Sequence, residues 1–146
     1  MTSKAKVILD MIQAVQDRDA ETLERLYHDD LEFREAPSLP YGGTLAGKNV
    51  LRDQLESEPG KTWLGTWGPL QPTERERRFD PRVVAVNGDE VVVEYRMRGL
   101  SADGECFESE VLALYEVRDG KCARAQMFHF DTTALNEFLR RAQRSS

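Results

Sequence analysis

Three residues of this chain carry groups able to move a proton and stand beside features that would hold them still. Glu35 closes the alternating run Leu31-Glu32-Phe33-Arg34-Glu35 and opens the segment Ala36-Pro37-Ser38-Leu39-Pro40-Tyr41-Gly42-Gly43. Two prolines restrict this backbone and two glycines release it, so the loop has a defined shape. A carboxylate presented from such a loop above an apolar body is suited to general-base work. The plainer reading of Glu35 is a surface acid paired with Arg34 or with a loop amide. His129 lies in Phe128-His129-Phe130, and imidazole is the side chain that exchanges protons near neutral pH. A core or interface histidine satisfied by one hydrogen bond is the alternative. By strand alternation Ala125, Met127, His129 and Asp131 share one face, and Arg124, Gln126, Phe128 and Phe130 the other. The polar Arg124 and Gln126 direct His129 inward. Asp131 is the third candidate, but it directly precedes Thr132-Thr133 and a helical pattern, where capping is its simpler role.

Several side chains are placed to meet a ligand. Tyr41 follows Pro40 and offers a phenol to a ligand oxygen, or packs on the rim. Tyr95 and Tyr115 fall on inward strand faces, and a buried tyrosine hydroxyl needs a partner, from a ligand or from the core. Trp63 and Trp67, with Gly68-Pro69, stand between a helix and the sheet, where they would cover a cavity mouth, meet a dimer partner or simply pack. His28 and His129 have no metal-ligand spacing, and no glycine-rich phosphate loop follows a strand. Neither a metal nor a cofactor is expected.

The elements that must position these residues follow from periodicity. Val7, Ile8, Met11, Ile12 and Val15 repeat at helical spacing, with Lys4, Asp10, Gln13 and Arg18 opposite. Asp17-Arg18-Asp19 breaks that helix, and Asp19 caps a second through Leu23, Leu26 and Tyr27, ending at Asp29-Asp30. A third helix is expected from about Lys48 to Ser57, stopped by Pro59-Gly60. From about Thr73 the period becomes that of strands, and Glu74-Arg75-Glu76-Arg77-Arg78 reads as a solvated edge strand. Val91, Val93, Tyr95 and Met97 form one inward face; Phe107, Ser109, Val111, Ala113, Tyr115 and Val117 form another. Leu112 and Leu114 are apolar on the opposite face. Asn87-Gly88-Asp89, Ala102-Asp103-Gly104 and Asp119-Gly120 predict three hairpins, hence a four-stranded antiparallel meander. A last helix carries Leu135, Phe138 and Leu139.

With 146 residues and 40 % apolar side chains, the chain suits one domain spanning 1–146 with one core. A net charge of −6 argues against nucleic acid or an anionic membrane as partner. No apolar run is long enough to cross a bilayer and no signal-peptide pattern opens the chain. Cys106 and Cys122 could approach across the sheet, but reduced thiols in a cytoplasmic protein are expected.

The run Leu26-Tyr27-His28-Asp29-Asp30-Leu31-Glu32-Phe33, the loop Glu35 to Gly47, and Tyr115 to Lys121 with Phe128-His129-Phe130-Asp131-Thr132-Thr133-Ala134-Leu135 resemble the SnoaL-like family of the nuclear-transport-factor-2-like superfamily over nearly the whole length. The resemblance implies an α+β, cone-shaped barrel: a strongly curved antiparallel sheet with the N-terminal helices across its concave face. It implies a small hydrophobic ligand in the cone, a homodimer through the outer face, and a choice between general acid/base chemistry on a carbonyl or epoxide and plain ligand binding. Glu35 matches the proton-shuttling acid of the family's isomerases. Met11 and Ala113 fall where those enzymes place hydrogen-bond donors, and Met127 near an acid of the epoxide hydrolases. His129 and Asp131 are the nearest match to a late carboxylate and histidine of the cyclases. Glu35, His129 and Asp131 are thus the catalytic candidates, and Met11, Tyr41, Trp63, Tyr95, Ala113, Tyr115 and Met127 the ligand-contact candidates.

Overall fold

The computed structural model describes residues 3–56 and 58–144. The first helix, α1 (Ser3–Gln16), buries Ala5, Ile8, Met11, Ile12, Ala14 and Val15, the stripe its spacing dictates. Arg18 takes a left-handed φ of 56° to turn the chain. Asp19 Oδ1 then accepts the Thr22 amide at 3.1 Å and caps α2 (Ala20–Leu26). The helix ends at Leu26, earlier than the expected Asp29-Asp30, because Tyr27 is already extended and buried against the sheet.

Strand β1 (Tyr27–Glu35) pairs antiparallel with a short strand, β2 (Gly43–Ala46), that periodicity did not signal. The third helix, α3, covers Val50–Leu55 and is shorter than expected. Next come α4 (Trp63–Trp67), a 3-10 turn at Gly68–Leu70 and α5 (Glu74–Arg77). The edge strand expected over Glu74–Arg78 is thus corrected to a helical turn. Its cause is a cap at the first turn: the Thr73 amide donates to Glu76 Oε1 at 3.0 Å and the Thr73 hydroxyl to the same carboxylate. Glu76 is only 2 % exposed, so it faces inward rather than lying on a solvated edge.

The meander is as the turns predict: β3 (Arg82–Asn87), β4 (Glu90–Leu100), β5 (Cys106–Arg118) and β6 (Lys121–His129), all antiparallel neighbours, followed by α6 (Thr132–Arg144). The six strands run β2-β1-β6-β5-β4-β3 in one curved sheet. Two expectations change here. The sheet is not closed into a barrel, since β2 and β3 end it without pairing. Nor is it wholly antiparallel, because β1 lies parallel to β6. The parallel step follows from connectivity: β1 is laid down early, and the meander returns to cover its free edge from the other side.

The helices cover the inner face, where α1 touches β4, β5 and β6 and α6 touches β5. Gly99 on β4 lets this happen, for a Cβ there would lie 2.9 Å from Phe138 and 3.1 Å from Trp67. Trp67, Phe107 and Phe138 stack in the space that remains. The outer face carries the cross-strand pairs Arg98–Glu108 at 2.8 Å and Arg96–Glu110 at 3.1 Å. Beyond them, Leu112, Phe128 and Phe130 are exposed. The cysteines do not approach one another: Cys106 is exposed opposite Leu100, and Cys122 is buried opposite Val117. Burial pushes the Cys122 thiol up to about 12. No helix among the described residues is long and apolar enough to cross a membrane.

Candidate active site

The end of β1 and the end of β6 bring two distant residues into contact. Parity sends Leu31, Phe33 and Glu35 to the inner face of β1, and Ala125, Met127 and His129 to that of β6. Glu35 Oε1 and His129 Nε2 lie 3.1 Å apart, across 94 residues of sequence. Their side chains are 5 % and 2 % exposed, so the contact is screened from water. His129 Nδ1 is also buried and has no hydrogen-bond partner among the described residues. An orphaned N–H there would cost about 1–3 kcal/mol, whereas a bare lone pair is tolerated more readily. The geometry therefore favours one tautomer: Nε2–H donates to Glu35, and Nδ1 is unprotonated.

Glu35 faces a hollow on its other side. Met11, Ile12 and Val15 of α1 form one wall, and Tyr95, Tyr115 and Met127 of the sheet form another. Tyr27, Phe33, Gln54, Trp63 and Phe79 complete it. Glu35 is the sole acidic or basic residue of that lining. The cavity volume is about 40 Å³, room for a few waters. A larger outer chamber of about 220 Å³ adjoins it and shares Phe33, Glu35, Gln54 and Trp63 as walls. The outer chamber lies under the Pro40-Tyr41-Gly42-Gly43 loop and is bordered by Asp53, Glu56, Glu58 and Lys61. Gln54 stands between the two spaces, its Oε1 accepting from the Tyr27 hydroxyl at 2.7 Å.

Three phenols surround the carboxylate. Tyr41 Oη accepts from Trp67 Nε1–H at 2.9 Å, which leaves its own proton free to donate. Tyr95 and Tyr115 line the hollow, and neither hydroxyl has a protein hydrogen-bond partner among the described residues. Burial raises the pKa of all three well above the ordinary phenol range. The charge of Glu35 adds to that rise in each, which places each phenol within electrostatic reach of the carboxylate. They are permanent donors at ordinary pH. Outside this lining, the Arg18 guanidinium lies 5.0 Å over the Trp63 ring and donates to Gln71 Oε1 at 2.6 Å, locking Trp63 in place.

The candidates named from sequence divide clearly. Glu35, Met11, Trp63, Tyr95, Tyr115 and Met127 line the hollow, and Tyr41 lines the outer chamber. His129 stands behind Glu35 and is not part of the lining. Ala113 is buried within the sheet and does not line the hollow either. Asp131 stands apart: it is exposed, and its Oδ1 accepts the Ala134 amide at 2.9 Å to cap α6. Tyr27, Gln54 and Phe79 belong to the site and were not singled out. Gln54 follows the inward Val50 by four residues, and that spacing was the available signal. Among the described residues no group of three or more His, Cys, Asp or Glu side chains converges as a metal site would require.

Residues 8–125 match the model of the SnoaL-like domain family. Solved structures of the same fold include TerC, co-crystallised with polyporic acid, at 24 % identity over 95 % of this chain and 99 % of that one, with a TM-score of 0.76. A protein of Xanthomonas campestris pv. campestris proposed to be a polyketide cyclase is 16 % identical over 94 % and 96 % of the two chains, with a TM-score of 0.70. A nuclear-transport-factor-2-like protein of Burkholderia thailandensis is 21 % identical over 94 % and 97 %, with a TM-score of 0.66. No curated protein sequence matches the chain.

Proposed function

Because the chain belongs to the SnoaL-like domain family, we propose that it is a small-molecule enzyme working without a cofactor, with Glu35 as general base toward a hydrophobic carbonyl compound. The observation that carries this reading is the one charged group in an aromatic hollow, held from behind by His129 at 3.1 Å. Glu35 takes a proton from carbon next to the ligand carbonyl and becomes a carboxylic acid. The electron pair moves onto the carbonyl oxygen, and the unpartnered hydroxyls of Tyr95 and Tyr115 donate to that oxygen. Glu35 then returns the proton to the same or a neighbouring carbon. These tyrosines supply what Met11 and Ala113 cannot. Met127, standing near the place of an acid in the epoxide hydrolases, favours a carbonyl over an epoxide.

The test is exchange of the α-protons of β-tetralone in D2O, followed by NMR. The wild-type protein accelerates exchange over buffer, and the Tyr95→Phe/Tyr115→Phe double variant loses about 10- to 1000-fold of that acceleration. Equal rates in wild type and double variant would remove the tyrosines from the mechanism. The cavity of about 40 Å³ favours a second reading, in which the fold binds a ligand, or fills itself, without chemistry. No acceleration by wild type, under conditions where the ketone binds, selects that reading.

We further propose a homodimer through the outer sheet face. Leu112, Phe128 and Phe130 are exposed there, Phe130 to 83 %, and Leu114 adjoins them. Light scattering at micromolar concentration is expected to give twice the mass of the chain, and Phe130→Asp the mass of a monomer. A monomeric wild type overturns it. The two free thiols suit a reducing cytoplasm.

A further inference from the structure

We propose that the hollow is also a binding site for organic ammonium ions: a flat, bicyclic amine puts its protonated nitrogen beside Glu35, extends its rings into the adjoining chamber of about 220 Å³, and shuts the base down. This rests on the reading that the hollow is the ligand site, but not on the reading that Glu35 does chemistry.

The argument begins with an uncompensated charge. Glu35 is buried as the one acid of the lining, and the orphaned His129 Nδ1 selects a neutral imidazole beside it. Its partner then contributes a hydrogen bond and no positive charge. No Lys, Arg or other His lines the hollow. A buried carboxylate without a counter-charge is costly, and a ligand that brings the missing cation recovers part of that cost.

The walls suit such a cation. Tyr95, Tyr115, Trp63 and Phe79 line the hollow, and a cation gains most from aromatic rings when water is excluded. The phenol oxygens of Tyr95 and Tyr115 are unpartnered, and each has lone pairs to accept an ammonium N–H. An ammonium carries three such donors, one for the free side of the carboxylate and two for these oxygens. The adjoining chamber has the same sign. Asp53, Glu56 and Glu58 border the outer chamber against the single Lys61, which already lies 3.1 Å from Glu58. That field draws cations and turns away carboxylates and phosphates.

The same bookkeeping explains the separation from substrates. A neutral ketone leaves the hollow with one negative charge before and after proton transfer, since the charge only moves from Glu35 to the ligand oxygen. An anionic ligand would make two. An ammonium makes none, and it occupies the lone pair the base needs.

The experiment is a fluorescence titration at pH 7 in a Trp67→Phe background, so that the emission is that of Trp63, with three probes of one shape: 2-aminotetralin, β-tetralone and tetralin-2-carboxylate. The amine is expected to bind at least about 30-fold tighter than the carboxylate. It should compete with the ketone and stop any tetralone exchange in the same concentration range. Glu35→Gln should abolish the amine's advantage, and a melting curve shows that this variant is folded. Carboxylate binding as tight as the amine's, or an order of affinities unchanged in Glu35→Gln, overturns the proposal. If the ketone binds without exchange while the amine retains its advantage, the base reading fails and the ammonium site stands. If none of the three binds at millimolar concentration, both fail.

Discussion

Glu35→Gln is expected to lower tetralone proton exchange by about 10²- to 10⁴-fold, the usual contribution of a positioned base. The substitution is close to isosteric. His129 Nε2–H can still donate to the amide oxygen, so the 3.1 Å contact and the walls of the hollow are retained. What disappears is the lone pair that accepts a proton and the charge that goes with it. Folding stability should hold or rise, because the variant no longer buries an uncompensated carboxylate. Rate and melting temperature thus move in different directions, which a merely structural Glu35 would not produce. Exchange unchanged in Glu35→Gln removes Glu35 as the base.

Gly42→Ala should be the most damaging single-methyl change in the loop that carries Glu35. The loop folds back on itself through Leu39 N–H to the Ala36 carbonyl at 3.0 Å and Gly42 N–H to the Leu39 carbonyl at 2.9 Å. A Cβ on Gly42 would lie 2.0 Å from the Ala36 oxygen and 2.9 Å from the Leu39 oxygen. Both obstacles are backbone, so no side chain can swing away. Relief requires moving Tyr41, which is buried and receives the Trp67 N–H, or the start of β2. A cost of about 3 kcal/mol and a melting temperature about 10 °C lower are expected. Gly43→Ala is the contrast. It meets nothing within 4 Å but has a φ of 105°, so it carries only the left-handed penalty of about 1–2 kcal/mol. A Gly42→Ala protein melting within a degree of wild type would contradict this account.

The parts of the fold that sequence made legible are those where one period persists. Ile8, Met11, Ile12 and Val15 mark α1, and Val91, Val93, Tyr95 and Met97 mark β4, because many residues vote for one face. The region from Trp63 to Arg77 was not legible in the same way. Its helices are four or five residues long, too short for a period, and are fixed by Thr62 and Thr73 caps. The inward turn of His129 follows from strand parity, but its meeting with Glu35 does not. That contact depends on β1 lying beside β6, a pairing carried by no local pattern. Asp131 shares His129's parity and still leaves the site, since the chain passes from strand to helix between them. Gln54 was hidden by type: a polar residue at an inward helical position gives no apolar signal.

The parallel seam between β1 and β6 has a consequence in time as well as in space. Of the six strands of this sheet, Glu35 belongs to the first to be synthesised and His129 to the sixth. Contacts of such sequence separation form late, after the loop-closure entropy of everything between them has been overcome. Until then a nascent chain carries Glu35 at the rim of an uncovered strand, open to water. The contact between Glu35 and His129 cannot form before all six strands have been made, so a chain cut short of β6 lacks it.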